Sequence, residues 1–338
     1  MKSLRISDPP DIGARVEVGL ILALTMRGLQ IHSYPQLARV AKEAERLGFA
    51  SLWLCDHFLT VGQASYGERR RGGAREEEGS EPLLECWTTL SALARETSRI
   101  RLGTSVICNG YRYPSVLAKM AATLDVISEG RLELGLGAGW LAREFEAYGI
   151  PFPSLPVRLA QLDEALEVIR AMWTQPQPAF VGEHYQIRGA VCEPAPLQKP
   201  HPPIWLGGEG KSVHRIAARA ANGINVRWWA PERFAGRRPF LNEACRQLGR
   251  NPQTLRLSVT AMLIPGYDPL RIRRLRERYP AIDDSGIISG TPDECVARIA
   301  AYAAQDVRHL LFTIPDVADS ELLELTGAEV LPAVQQIR

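Results

Sequence analysis

Hydrophobic positions along the chain switch repeatedly between two periods. Val16 to Leu24, VEVGLILAL, is a nearly continuous apolar run, the pattern of a strand covered on both faces. From Leu37 to Leu47 apolar residues recur at 37, 40, 41, 44 and 47, a helical stripe, and Gly48 stands where a helix C-cap belongs. Ala50 to Phe58, ASLWLCDHF, reads as a second strand, and about Pro82 to Thr97 as a helix. The stretch Leu102 to Trp140 is the most telling. An apolar strand runs into an Asn-Gly turn, a helix opens at Tyr113-Pro114, and a second strand ends in Gly135, Gly137 and Gly139. So short a strand–helix–strand connection predicts a parallel βαβ unit.

The alternation continues. Val157 to Trp173 carries a helical stripe at 159, 162, 166, 169 and 173. Ala179 to Glu193 reads as a hairpin insertion turning at Gly182-Glu183. Strands are expected at Pro202–Gly208, Gly223–Trp229, Leu255–Ile264 and His309–Pro315. Helices are expected at Ser212–Ala221, about Glu232–Leu248, 269–279, 292–305 and from Asp319. Eight strands alternating with helices predict a (β/α)8 TIM barrel with insertions, of α/β class, over residues 16–338. The competing doubly wound sheet is disfavoured by that count and by the lack of a GxGxxG turn near the start. Residues 1–15 read as a tail, and 59–80 as a long exposed loop that is either an active-site lid or disordered.

Composition narrows the function class. Forty basic against 38 acidic residues leave a formal charge of +2 over 338 residues, so no nucleic-acid partner is expected. The six cysteines, at 55, 86, 108, 192, 245 and 295, form no CxxC pair, as in a reduced cytoplasmic protein. No signal peptide or membrane span is expected. The histidines at 32, 57, 184, 201, 214 and 309 do not stand at metal-ligand spacing. Paired strand-end carboxylates, GxSxG and HExxH are also lacking.

Barrel enzymes carry chemistry at strand C-termini. Strand two ends in Asp56-His57-Phe58. Position alone allows His57 to be an acid–base group or a strand cap, and allows Asp56 to orient that ring or to bond the next loop. The end of strand three, Ser105, Val106 and Cys108, reads from sequence alone as an ordinary terminus. Gly137-Ala138-Gly139 permits close approach of a ligand or tight packing within the protein. Gly207-Gly208-Glu209-Gly210-Lys211 runs directly into a helix, an arrangement that suits a phosphate. Trp228 ends strand six, where it either walls a pocket or packs the rim. A small-molecule substrate is expected, with Trp87, Trp140 and Trp228 around it.

Taken together, LGFASLWLCDHF, ETSRIRLGTSV, YPSVLAKMAATLDVISEGRLELGLGAGW, EFEAYGIPFP, LDEALEVIRAMW, PPIWLGGEG and GTPDECVARI resemble the luciferase-like monooxygenase superfamily. The closer likeness is to its branch of coenzyme F420-dependent oxidoreductases. The resemblance implies a dimeric barrel holding F420, or alternatively FMN, at the strand C-termini. It implies that His57 lies beside the reactive ring. It also implies a non-proline cis peptide at Ser105-Val106 that supports the ring, and a phosphate at Gly207-Gly208. Hydride transfer to or from an organic substrate is the expected activity. An oxygen-using FMN monooxygenase and a flavin-binding protein without turnover are the alternatives. Where the family's sugar-phosphate dehydrogenases carry a glutamate after GTG, this chain has Trp140, which argues against sugar-phosphate oxidation.

Overall fold

Eight parallel strands close on themselves in the computed structural model, which describes residues 15–22, 31, 33–61, 82–280, 282, 284–319 and 321–337. In chain order the ring is β1 (Glu17–Leu22), β2 (Ser51–Leu54), β3 (Arg101–Thr104), β5 (Leu132–Gly137), β8 (Ile204–Gly207), β9 (Gly223–Arg227), β10 (Arg256–Pro265) and β12 (Val307–Thr313). It closes where β12 pairs in parallel with β1, Leu20 opposite Phe312, and where β10 bridges β9 and β12. Most of the expected loop, and residues 1–14 of the expected tail, lie outside the described residues.

Local sequence explains why the helices sit where they do. The helix Tyr34–Leu47 buries Leu37, Val40, Ala41 and Ala44 against the barrel and stops at Gly48, whose φ of 92° suits glycine. Pro114 occupies the first turn of the helix Pro114–Ile127, where its missing N–H costs nothing. A capping box, Thr291 with Glu294, opens the helix Pro292–Ala303.

Four elements depart from the simple repeat. Strand three breaks at a cis Ser105–Val106 peptide and resumes as β4 (Ile107–Cys108), which pairs with Ile107 opposite Leu136. The insertion holds a two-stranded antiparallel hairpin, β6 (Phe180–Val181) and β7 (Gln186–Ile187). A strand unforeseen in the sequence, β11 (Ile287–Gly290), pairs with Met262–Pro265, the part of the ten-residue β10 that runs on as β12 ends. A six-residue helix, Ala142–Ala147, also went unforeseen. Both segments are too short to show a period.

Large rings over glycines fill the barrel interior. Trp53 stands in register with Gly103, and Trp205 with Gly223. A Cβ on either glycine would fall 2.3 Å from the facing indole. Toward the strand starts the filling turns polar: Glu133, His309 and Arg101 gather there, with the Arg256–Glu17 ion pair at 2.5 Å. That end is plugged by side chains, so the opposite end is where the barrel opens.

Candidate active site

At the C-terminal ends of β2, β3, β5, β8 and β9 lies a cavity of about 300 Å³, at the lower bound for small-molecule sites. Asp56, His57, Ser105, Val106, Cys108, Gly137, Ala138, Gly139, Trp140, Gly207, Gly208, Glu209 and Gly210 all line it. Residues distant in sequence are thus brought to one space. Trp87 and Trp228, expected beside them, are not among its lining residues. Trp87 is buried in the first turn of the helix Cys86–Glu96. Trp228 adopts φ 56° and packs against Gly286, where a Cβ would fall 2.6 Å from its side chain. That contact favours the rim reading of Trp228.

His57 is held by a residue that the sequence reading missed. Its Nδ1 lies 2.8 Å from Glu144 Oε2, and the ring meets Trp140 edge-on with centroids 5.8 Å apart. The fully buried Glu144 also accepts hydrogen bonds from the Phe58 N–H at 2.6 Å, the Leu59 N–H at 2.9 Å and the Tyr111 hydroxyl at 2.6 Å. Burial pushes this carboxyl up, but His57 and the other donors outweigh it and bring it below its usual value. The available signals were an acid on the unforeseen helix Ala142–Ala147 and its place in the EFEAYGIPFP segment, and Glu146 shares both.

Asp56 does not orient His57. Its carboxylate accepts from Cys108 N–H at 3.0 Å and from both Arg112 Nη groups at 2.7 and 3.1 Å. It therefore ties the end of β2 to β4, the loop-bonding reading. Burial raises its pKa and Arg112 offsets only part of that. Burial also pushes the Cys108 thiol up to about 12, so it stays protonated and is no nucleophile near neutral pH.

The glycines of β5 and β8 make room for strand three. A Cβ on Gly137 would fall 2.6 Å from Val106, and one on Gly207 would fall 2.7 Å from it. Gly139, at φ 78°, backs onto Cys108 at 2.7 Å in the same test. Packing consumes these three glycines and seats Val106 between β5 and β8 on the cavity floor.

The turn after β8 differs. Gly208 has φ 147°, and among the described residues nothing lies within 4 Å of a Cβ built on Gly210. Gly210 caps the helix Lys211–Ala220 without any side-chain bond to the first amides, and Lys211, Ser212 and Val213 of its first turn line the cavity, which brings the positive end of the helix dipole to it. Behind the turn, His214 Nε2 lies 3.1 Å from the Gly208 carbonyl, and burial lowers its pKa to about 4. A neutral imidazole donating to that carbonyl fixes the turn. Glu209 is neutralised by Arg233 at 3.0 Å, and Lys211 and Arg227 add positive charge to the lining. A glycine turn, a helix start and added positive charge together form an arrangement that suits an anion.

Among the described residues no cluster of histidine, cysteine or carboxylate could hold a metal ion, and no helix is long and apolar enough to cross a membrane.

Comparison with known proteins matches the family model described as luciferase-like monooxygenase to residues 19–282. The chain is 29% identical over 324 residues to the F420-dependent glucose-6-phosphate dehydrogenase of Microbacterium testaceum, covering 87% of this chain and 91% of that one. It is 28% identical over 331 residues to the enzyme of the same name from Kineococcus radiotolerans, covering 89% and 93%. Among solved structures, an F420-dependent secondary alcohol dehydrogenase in complex with an F420-acetone adduct superposes with a TM-score of 0.75 at 20% identity, covering 95% of this chain and 99% of that one.

Proposed function

The chain belongs to the luciferase-like monooxygenase family, and from that premise we propose that it is a coenzyme F420-dependent oxidoreductase acting on a small organic substrate. One observation carries the proposal. A buried carboxylate–histidine pair and a helix start without a side-chain cap line the same cavity. The first suits proton handling and the second suits the phosphate of a bound nucleotide-like cofactor. The curated relatives described above carry F420 dependence in their names.

The residues present fit that cofactor. Gly207, Gly208, Glu209 and Gly210, with the Lys211–Ala220 helix start, would hold the phosphate. Ser105, Val106, Cys108, Gly137, Ala138, Gly139 and the backbone near Asp56 would bear on the ring, with Val106 as its floor. Bound there, coenzyme F420 supplies hydride exchange with the substrate. The protein's own part is to shield the site and to move a proton at His57 Nε2, the ring nitrogen not engaged by Glu144. Trp140 stands beside that ring and contributes an aromatic wall rather than a second acid. Glucose 6-phosphate is therefore expected to be a poor substrate. The same proposal makes the protein a cytoplasmic homodimer without membrane or nucleic-acid partners, which sedimentation and cell fractionation check.

Titration of the purified protein with F420 and with FMN tests the proposal. F420 is expected to bind more tightly. FMN binding tenfold tighter, about 1.4 kcal/mol, with oxygen consumption on mixing with the reduced flavin, would establish the FMN monooxygenase reading instead.

A further inference from the structure

Glu144 makes more contacts than an orienting residue requires, and the division between its two oxygens is informative. Oε1 accepts from the backbone N–H groups of Phe58 and Leu59, while Oε2 faces His57 Nδ1 and the Tyr111 hydroxyl. Backbone N–H groups can only donate. They hold one carboxylate oxygen in place, and the carboxylate as a whole cannot turn. The other oxygen is thereby fixed against Nδ1. An ionised carboxylate only accepts, so Nδ1 must carry a proton.

We propose that Glu144 is a positioning residue that locks His57 as the Nδ1–H tautomer and so presents the Nε2 lone pair to the cavity. The inference rests on the reading of His57 as the proton-handling group, and it specifies the sense of that role. With Nδ1 committed to Glu144, a proton is taken up or released only at Nε2. In that neutral tautomer His57 acts as a base toward a substrate O–H or N–H, and with Nε2 protonated it acts as an acid at the same nitrogen. The lock is built from the segment after β2, the helix Ala142–Ala147 and Tyr111, so it is complete before any ligand enters.

Glu144→Gln tests this with little change of shape. The amide oxygen must face the two backbone donors, because the NH2 group cannot accept from them. The NH2 then faces Nδ1 and donates to it, while the Tyr111 hydroxyl rotates to accept. The variant should thus invert the tautomer to Nε2–H rather than merely loosen the ring. Two-bond 15N–1H spectra of histidine-labelled, cofactor-free protein, recorded with rising pH until the neutral ring pattern is reached, read this directly. The His57 signal is identified by its loss in His57→Asn. Wild type should show Nδ1–H, and Glu144→Gln should show Nε2–H. In the F420-loaded enzyme the variant's turnover should fall about a hundredfold or more with KM little changed, as when an orienting carboxylate is replaced by its amide and the wrong tautomer is presented. A wild-type Nε2–H signal, or an unchanged tautomer in folded Glu144→Gln, overturns the inference, and the wild-type spectrum decides it even if the variant does not fold. Unimpaired turnover in His57→Ala would instead remove the functional reading while leaving the tautomer lock standing.

Discussion

A histidine and a glutamate sit close together at each end of this barrel. At the open end His57 bonds Glu144 through Nδ1 and lines the cavity. At the plugged end His309 lies between Trp53 and Trp205, with ring centroids 5.4 and 4.8 Å away, and Nε2 is 3.3 Å from Ser51 Oγ. Its Nδ1 is buried with no partner among the described residues. Glu133 nearby accepts from the Trp205 indole N–H at 2.6 Å and from Arg101. Burial lowers the pKa of His309 to about 3. It also works against the charge on Glu133, yet Arg101 and its neighbours hold that group at about 2. The residue types match and the uses diverge. His57 borders space that a ligand can fill, whereas His309 is enclosed by protein. Access decides which pair can do chemistry, and the other serves packing and order.

The sharpest test of that contrast is His57→Ala. Turnover should fall about a hundredfold or more, with F420 affinity close to wild type and the melting temperature lowered, because the buried Glu144 loses a hydrogen-bond partner. Near-normal turnover with good F420 binding would erase the distinction between the two ends. The glycines extend the comparison. Gly103→Ala forces a methyl against Trp53, which lies 2.3 Å from the Cβ position. Denaturant unfolding should show a loss of about 1–3 kcal/mol without a change in the affinity of the folded protein for F420. Gly210→Asp adds a side chain where no described residue lies within 4 Å of the Cβ position, at a residue with φ −75°. It supplies a favourable N-cap and places negative charge where the phosphate is expected. F420 affinity should drop tenfold, about 1.4 kcal/mol, while stability holds or rises. Intact affinity would move the anion site elsewhere. Gly210 is the better position for this test, because Gly208, at φ 147°, would strain under any side chain.

The smallest effect concerns pH. His214 and His309 titrate at about 4 and about 3 in the fold against 6.5 unfolded. As pH falls below about 6.5 the unfolded chain binds protons that the native chain refuses, so stability declines progressively across that window. Glu45 and Glu133, both held at about 2 against 4.5, add a loss that begins only as pH falls through the lower range. Melting temperatures measured between neutral pH and about pH 4 should decline gradually, and His309→Gln should make the upper part of that decline shallower. A slope unchanged by the substitution would take His309 out of the account.

The order of the eight barrel strands, the helical stripe ending at Gly48, the hairpin after residue 179 and the glycine turn after β8 were all legible in the chain. Each is a local pattern: a period, a cap or a turn residue satisfied by neighbours a few positions away. His57 was legible as a candidate for the same reason, since it ends a strand in a fold whose strand ends face ligands. Glu144 was not. It lies 87 residues from its partner, on a six-residue helix too short to reveal a period. An acid there reads like any solvated residue until the barrel closes and buries it. Likewise, only the closed ring shows that Gly137 and Gly207 yield space to Val106, that Asp56 serves Arg112, and that Trp87 and Trp228 lie outside the cavity lining. Short-range preferences set which elements form. Long-range packing sets which side chains meet and which of them remain open to a ligand, because that depends on residues that sequence distance does not relate.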